Sequence, residues 1–253
     1  MKKKNWILWV PAIIIVLVAG SLNSITSSDY PVSGTIGADG KKVTYYFEKT
    51  VQAGTDYRIL IRTDNAEITG YYEMRNSRTD SIHRGDLVKG EGILESMVPG
   101  GASGDSLFLD VYIKLRDSVF QVPKETTLSV FVTGKIPIGI SILYSVTLFA
   151  FLLFAVRTAL ESFNPKPHYT RFVLYTAIST ILYSLFVLPI YNYFYGRTGE
   201  SDIMSPERLF SFEAWYFPLI WFVAFAALSV IKDKRFILLT AGVLTLGYFV
   251  IFH

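Results

Sequence analysis

The segment Lys135–Glu161, KIPIGISILYSVTLFAFLLFAVRTALE, limits the fold more than any other part of the chain. No residue between Ile136 and Val156 carries a charge, and a helix of that length crosses the roughly 30 Å apolar core of a bilayer. Four further uncharged runs, Trp6–Ile25, Phe172–Tyr195, Ala214–Ile231 and Phe236–Phe252, are also of membrane length or close to it. The chain is 51% hydrophobic and 15% aromatic, above what a water-soluble domain of this size carries. A mixed membrane protein follows, with the lipid bilayer as its first partner. Four helices lie in the C-terminal part, a four-helix transmembrane bundle over residues 135–253.

The N-terminus, Met1-Lys-Lys-Lys4 followed by Trp6–Gly20, has the basic start and apolar centre of a secretory signal, and Val18 and Gly20 suit a cleavage site. The uncharged run nevertheless continues to Ile25, long enough for a retained anchor. Residues 1–25 are therefore a signal-anchor or a signal peptide. Both readings deliver the next segment out of the cytoplasm.

Between Tyr30 and Thr133 the apolar period changes to two. Val43, Tyr45 and Phe47 alternate with polar or smaller neighbours, as do Tyr57, Ile59 and Ile61, and Ile68, Gly70, Tyr72 and Met74. Leu107 to Leu115 and Leu128 to Val132 repeat the pattern. Ala38-Asp-Gly40, Ala53-Gly-Thr-Asp56, Thr63-Asp-Asn65 and Pro99–Asp105 supply turns between these runs. About seven strands are expected, forming an extracytoplasmic, antiparallel β-sandwich of immunoglobulin-like type over residues 26–134. With no cysteine in the chain, its apolar core must hold it without disulfides.

Charge excludes some functions and orients the helices. Asp29–Lys135 carries 13 Lys and Arg against 15 Asp and Glu, so no basic groove for nucleic acid is expected. The local group Arg75, Arg78, His83 and Arg84 reads as a solvated loop or an anion-binding edge. Basic residues gather at the N-terminus, in Arg157–Arg171 and in Lys232–Arg235, which five alternating spans place together on the cytoplasmic side. The expected location is the inner (cytoplasmic) membrane, with the β-domain and the C-terminus outside. Aromatic groups at Tyr191–Tyr195 and Trp215–Phe217 match interfacial belts, and Pro189 and Pro218 mark kinks or first turns.

Patterns for chemistry are missing. His83, His168 and His253 are not paired within spans, which disfavours haem. No metalloprotease, nucleophile-elbow, P-loop or dinucleotide motif occurs. No catalytic residue, cofactor or metal site is assigned. Glu200, Asp202 and Glu207 offer oxygen ligands for a hard cation, but not at EF-hand spacing. Arg157 and Glu161 stand one helical turn apart and are expected to pair; a contact with lipid headgroups or a partner is the alternative. With no carboxylate, lysine or arginine inside the uncharged runs, an ion path lacks its usual residues.

Lys42-Val-Thr-Tyr-Tyr-Phe47, Ile68-Thr-Gly-Tyr-Tyr72, and Lys135-Ile-Pro137 leading to Arg157-Thr-Ala-Leu-Glu161 give the chain a layout that resembles an uncharacterised family of bacterial membrane proteins. The resemblance implies an N-terminal hydrophobic segment, a β-sandwich-like domain and about four membrane helices, and carries no activity. Members often have a proline-histidine pair where this chain has Leu143-Tyr144, and a longer aspartate-rich outer loop. The function expected is that of a non-enzymatic membrane interaction or accessory protein with protein partners in the membrane or periplasm. The alternatives are a transport or channel component, and a membrane enzyme acting on lipid or envelope glycan through outer carboxylates such as Glu200, Asp202 or Glu213.

Overall fold

The computed structural model describes residues 6–38, 41–63, 65, 67–79, 82–116, 118–165, 167–196, 212–231 and 233–252. The chain divides into two compact units. One comprises residues 1–27, 136–193 and 200–253, and the other residues 28–135 with 194–199.

In the second unit, strands β1 (Val32–Ala38), β2 (Lys41–Phe47), β4 (Tyr57–Thr63), β8 (Ile93–Val98) and β7 (Val88–Lys89) form one sheet in the order β1-β2-β4-β8-β7. The other sheet runs β3 (Thr50–Gln52), β11 (Leu128–Thr133), β9 (Ser106–Leu115), β5 (Ile68–Asn76), β6 (Ile82–Asp86), with β10 (Ser118–Val122) also paired to β9. Alternation explains how they pack. Ile59 and Ile61 of β4 are buried while Arg58 and Arg62 are exposed, and Leu107, Leu109, Val111 and Ile113 of β9 turn the same way, so the inner faces of both sheets share one core. Alternation puts Gly70 on the inner face of β5, where only glycine fits, since a Cβ would lie 2.7 Å from both Leu87 Cδ1 and the Tyr112 carbonyl; the Leu87 N–H donates to the Gly70 carbonyl at 2.8 Å.

Two expectations are corrected. There are eleven strands among the described residues rather than about seven, because β3, β7 and β10 are too short to display a period. The sheets are not purely antiparallel: β3 runs parallel to β11, pairing Phe131 with Thr50. That parallel pair arises because the chain leaves β2 at Phe47 and crosses to the opposite sheet within a few residues.

In the first unit, helices α1 (Trp9–Thr26), α2 (Ile138–Leu160), α3 (Tyr169–Ile181), α4 (Leu188–Tyr195), α5 (Phe212–Val230) and α6 (Lys234–Phe252) share a second core. A π-helical turn, Leu182–Val187, joins α3 to α4 without a break. It ends just before Pro189, which cannot donate a backbone hydrogen bond into that turn. The spans Trp9–Thr26, Ile138–Phe163, Tyr169–Tyr195 and Lys234–Ile251 are long and apolar enough to cross a membrane, and Trp215–Val230 is a shorter apolar helix.

Small residues set the closest approaches between helices. Ala12, Val16 and Ala19 are the buried stripe of α1, and a Cβ at Gly242 of α6 would lie 2.5 Å from Ala159 Cβ of α2. Asn23 Nδ2 and Thr26 Oγ1 donate to the carbonyls of Phe249 and Val250, each at 2.9 Å, tying α1 to the last turn of α6. Asn164-Pro165 ends the α2 segment as expected, after a single 3-10 turn, Glu161–Phe163.

Candidate functional site

Two places gather polar or amphipathic side chains with specific geometry, one in each unit. The first lies where α2 ends. Arg157 Nη1 donates to Glu161 Oε2 at 2.5 Å, as the spacing predicted. Both side chains are 0% exposed, which removes the expected alternative of a lipid-headgroup contact. Arg157 lies in the last turn of α2, beyond the uncharged run that ends at Val156, and Glu161 follows the helix as the first residue of the 3-10 turn. Glu161 Oε1 accepts from Asn164 Nδ2 at 2.8 Å and from the His168 backbone N–H at 2.9 Å. The carboxylate therefore closes the proline-containing turn into α3.

The guanidinium carbon lies 4.3 Å from the centroid of the Phe172 ring and 5.6 Å from that of Trp9. Arg157 Nε and Nη2 have no hydrogen-bond partner among the described residues, so the ring faces supply the cation's remaining environment. Thr158 and Thr176 share a 2.7 Å hydrogen bond between α2 and α3 nearby. An enclosed, mutually neutralised pair that gathers α1, α2 and α3 can hold helices in register. It has no open side from which to transfer a proton or ion.

The second place is the outer face of the six-stranded sheet. Arg75, Arg78, His83 and Arg84, expected as a solvated loop or an anion-binding edge, are not all in a loop: Arg75 lies on β5 and His83 and Arg84 on β6, the two strands of a hairpin. Alternation is invisible there because β6 is exposed almost throughout. Arg84 lies 4.1 Å over Tyr71, which stacks on Tyr112 of β9 at 4.9 Å, and Arg75 lies 5.5 Å over Phe108. Cross-strand register explains the group: Tyr71 faces Tyr112, and Arg75 faces Phe108. Partial burial pushes the Tyr112 phenol up, with the Asp110 and Glu73 carboxylates adding to the effect. Glu73 also approaches Arg84 at 3.7 Å.

Arg78 takes another role. Its Nε donates to Asp105 Oδ1 at 2.9 Å, while Asp105 Oδ2 accepts from the Ala102 N–H at 3.0 Å and from Asn76 Nδ2 at 3.2 Å. Asp105 is buried, and this network shapes the 99–105 turn. Sequence reasoning registered the turn by its glycines but not its organiser, since one aspartate among many has no distinguishing spacing. Phe108 and Tyr112 carry no signal of their own in the sequence, since they fall on the partly exposed side of an alternating strand.

The acids Glu200, Asp202 and Glu207 lie outside the described residues, as does His253, and nothing is described of the Glu213 side chain. Among the described residues no group of three or more His, Cys, Asp or Glu is placed to hold a metal ion. His83 tilts against Tyr72 with ring centroids 6.3 Å apart. No protein-family model matches this chain, and no curated protein matches it.

Proposed function

We propose that this protein is a non-enzymatic component of a membrane assembly, anchored by its apolar helices and recognising a protein partner through the outer face of its six-stranded sheet. The observation that carries the reading is the half-exposed array of Tyr71, Tyr112 and Phe108 capped by Arg84 and Arg75. Tyr and Arg dominate the energetic centres of protein interfaces, since they combine large contact area with directed polar groups. The array is rigid as well, because each ring is held by a cross-strand neighbour.

The β-unit is read as an immunoglobulin-like sandwich outside the cytoplasm, and the membrane as the inner one. The distribution of basic residues among the helix connections supports that orientation. The enclosed state of Arg157 and Glu161 supports an anchoring role for the helices over an ion path.

The test is native extraction in mild detergent, comparing the unaltered protein with Phe108→Asp and Tyr112→Glu. Their side chains lie on the outer face, so both variants are expected to insert and fold. The unaltered protein migrates in a particle larger than its own mass plus detergent, and both variants migrate as the chain alone. A particle unchanged by both substitutions rejects this face as the interface.

A further inference from the structure

Within the five-stranded sheet, β2 and β4 part partway along their length. Their antiparallel pairing is Val43 with Thr63, Thr44 with Arg62 and Tyr45 with Ile61, and it stops there. The Thr63 N–H donates to the Gly92 carbonyl at 2.9 Å, so the odd-numbered residues of β4 direct their backbone groups to β8. The even-numbered ones face β2. Continuing the register would bring Tyr46 opposite Leu60 and Glu48 opposite Arg58. Instead the strands diverge, and all four residues line an open groove of about 470 Å³, a volume within the range of ligand sites. The Tyr57 hydroxyl reaches across and donates to the Glu48 carbonyl at 2.9 Å, and the β2–β4 register gives Arg58 no partner on β2.

We propose that this gap takes an extended peptide segment of a partner protein, which adds to the β4 edge at Arg58 and places a Lys or Arg against Glu48 and Asp56. An interior strand that loses its neighbour over a few residues presents the donors and acceptors on which strand addition depends. Charge selects the occupant. Glu48 and Asp56 are exposed at the groove, whereas the Arg58 guanidinium is engaged by Glu95 at 2.7 Å. Two carboxylates are thus left facing the gap. The half-exposed ring of Tyr46 offers a face to a cationic side chain. This site is separate from the Tyr71–Tyr112 array, so its failure leaves the preceding proposal standing.

The experiment uses the full chain in detergent and a pool of labelled pentapeptides with a central Lys fixed and the flanking positions varied. Binding is read by fluorescence anisotropy and amide exchange by mass spectrometry. The best Lys peptide binds about tenfold more tightly than its central-Glu counterpart, a difference expected when two attractive charge pairs become repulsive. Backbone N-methylation at alternate residues weakens it by about fivefold or more through lost strand hydrogen bonds. The variant Glu48→Lys/Asp56→Lys, altered only at exposed side chains, loses the Lys preference. Exchange slows in the 57–60 segment when the peptide is bound.

Failure of the whole pool to bind at millimolar concentration overturns the proposal. So does indifference to N-methylation, or an unchanged preference in the double variant. Protection of 57–60 that rises with protein concentration in the absence of peptide assigns the gap to a second copy of the chain, and likewise overturns it.

Discussion

The two units bury polar groups in different ways. In the β-unit the core is apolar almost throughout, and its buried polar side chains, Thr63, Asn65 and Asp105, sit at strand ends and turns. In the helical unit Arg157, Glu161, Thr158, Thr176, Thr180, Ser184 and Thr245 lie inside, among the helices. The proposed arrangement, with the β-unit in water and the apolar helices in lipid, accounts for the contrast. In water, a strand with one apolar face has a single way to bury it, so alternation specifies the sheet. A helix that is apolar on all sides gains nothing from lipid by choosing one face over another, so small residues and hydrogen bonds must choose it. Trp221 Nε1 donating to Thr245 Oγ1 at 3.1 Å and the Thr158–Thr176 pair are contacts of that kind.

The sharpest way to break this comparison is to remove one charge from the helical core. Arg157→Leu or Glu161→Leu leaves the other charge buried without its partner, at a cost of about 3–5 kcal/mol. The double variant Arg157→Met/Glu161→Leu recovers most of the loss but not all, because Asn164 and the His168 N–H still lack their acceptor. Thermal unfolding in detergent orders the three variants. Singles no less stable than the double would remove the pair from its role as the helix clamp.

This difference also governs what could be read in advance. The β-unit was legible where strands were long: Tyr57-Ile59-Ile61 and Leu107 to Leu115 point inward as their spacing predicts. It was not legible in β3, β7 or β10, where two to five residues hold no period. In the helical unit each uncharged run coincides with an apolar helix, but four of the five are long enough to cross a membrane, Trp215–Val230 is shorter, and the charged ends at Arg157 and Arg171 fall inside helices. The buried faces were not legible, since uniformly apolar helices contain no stripe to read. The Arg157–Glu161 spacing announced a pair, but nothing in it announced complete burial, which depends on Trp9 and Phe172 from distant parts of the chain. The π-helical turn had Pro189 as its signal, recognised only as a local kink.

A smaller effect is expected where the β-unit uses a buried charge of its own. Asp105→Ala leaves the Ala102 N–H, Asn76 and Arg78 without their shared acceptor and is expected to cost about 1–3 kcal/mol. Limited proteolysis should detect it as earlier cleavage in 99–105, with the β9 amides still protected from exchange. Loss of that protection would mean that the carboxylate supports the whole core and that the turn is not a local device.

Smaller still is the effect at Tyr57. Burial, followed by the nearby Glu48 carboxylate, pushes its phenol well above the usual value of about 10. Above that pH the unfolded chain releases this proton while the folded chain retains it, so folded stability falls as pH rises, by up to about 1.4 kcal/mol per unit. Tyr57→Phe should lower stability by about 1 kcal/mol at neutral pH through the lost hydrogen bond to Glu48, and should flatten the alkaline decline. Denaturant midpoints at pH 7 and above pH 10 test both parts. An equal alkaline loss in the variant would assign the decline to other groups.

Both proposed recognition faces require the β-unit to lie in water outside the cytoplasm and the helical unit to span the membrane, and the absence of cysteine makes that directly measurable. Single substitutions Ser103→Cys in the β-unit, and Pro165→Cys and Asp233→Cys in helix connections, can each be exposed to a membrane-impermeant maleimide in intact cells with a permeable outer envelope. The prediction is labelling at position 103 without disruption of the inner membrane, and at 165 and 233 only after it. Protection of position 103 together with free labelling at 165 and 233 would contradict the orientation and, with it, an extracytoplasmic partner for either recognition face.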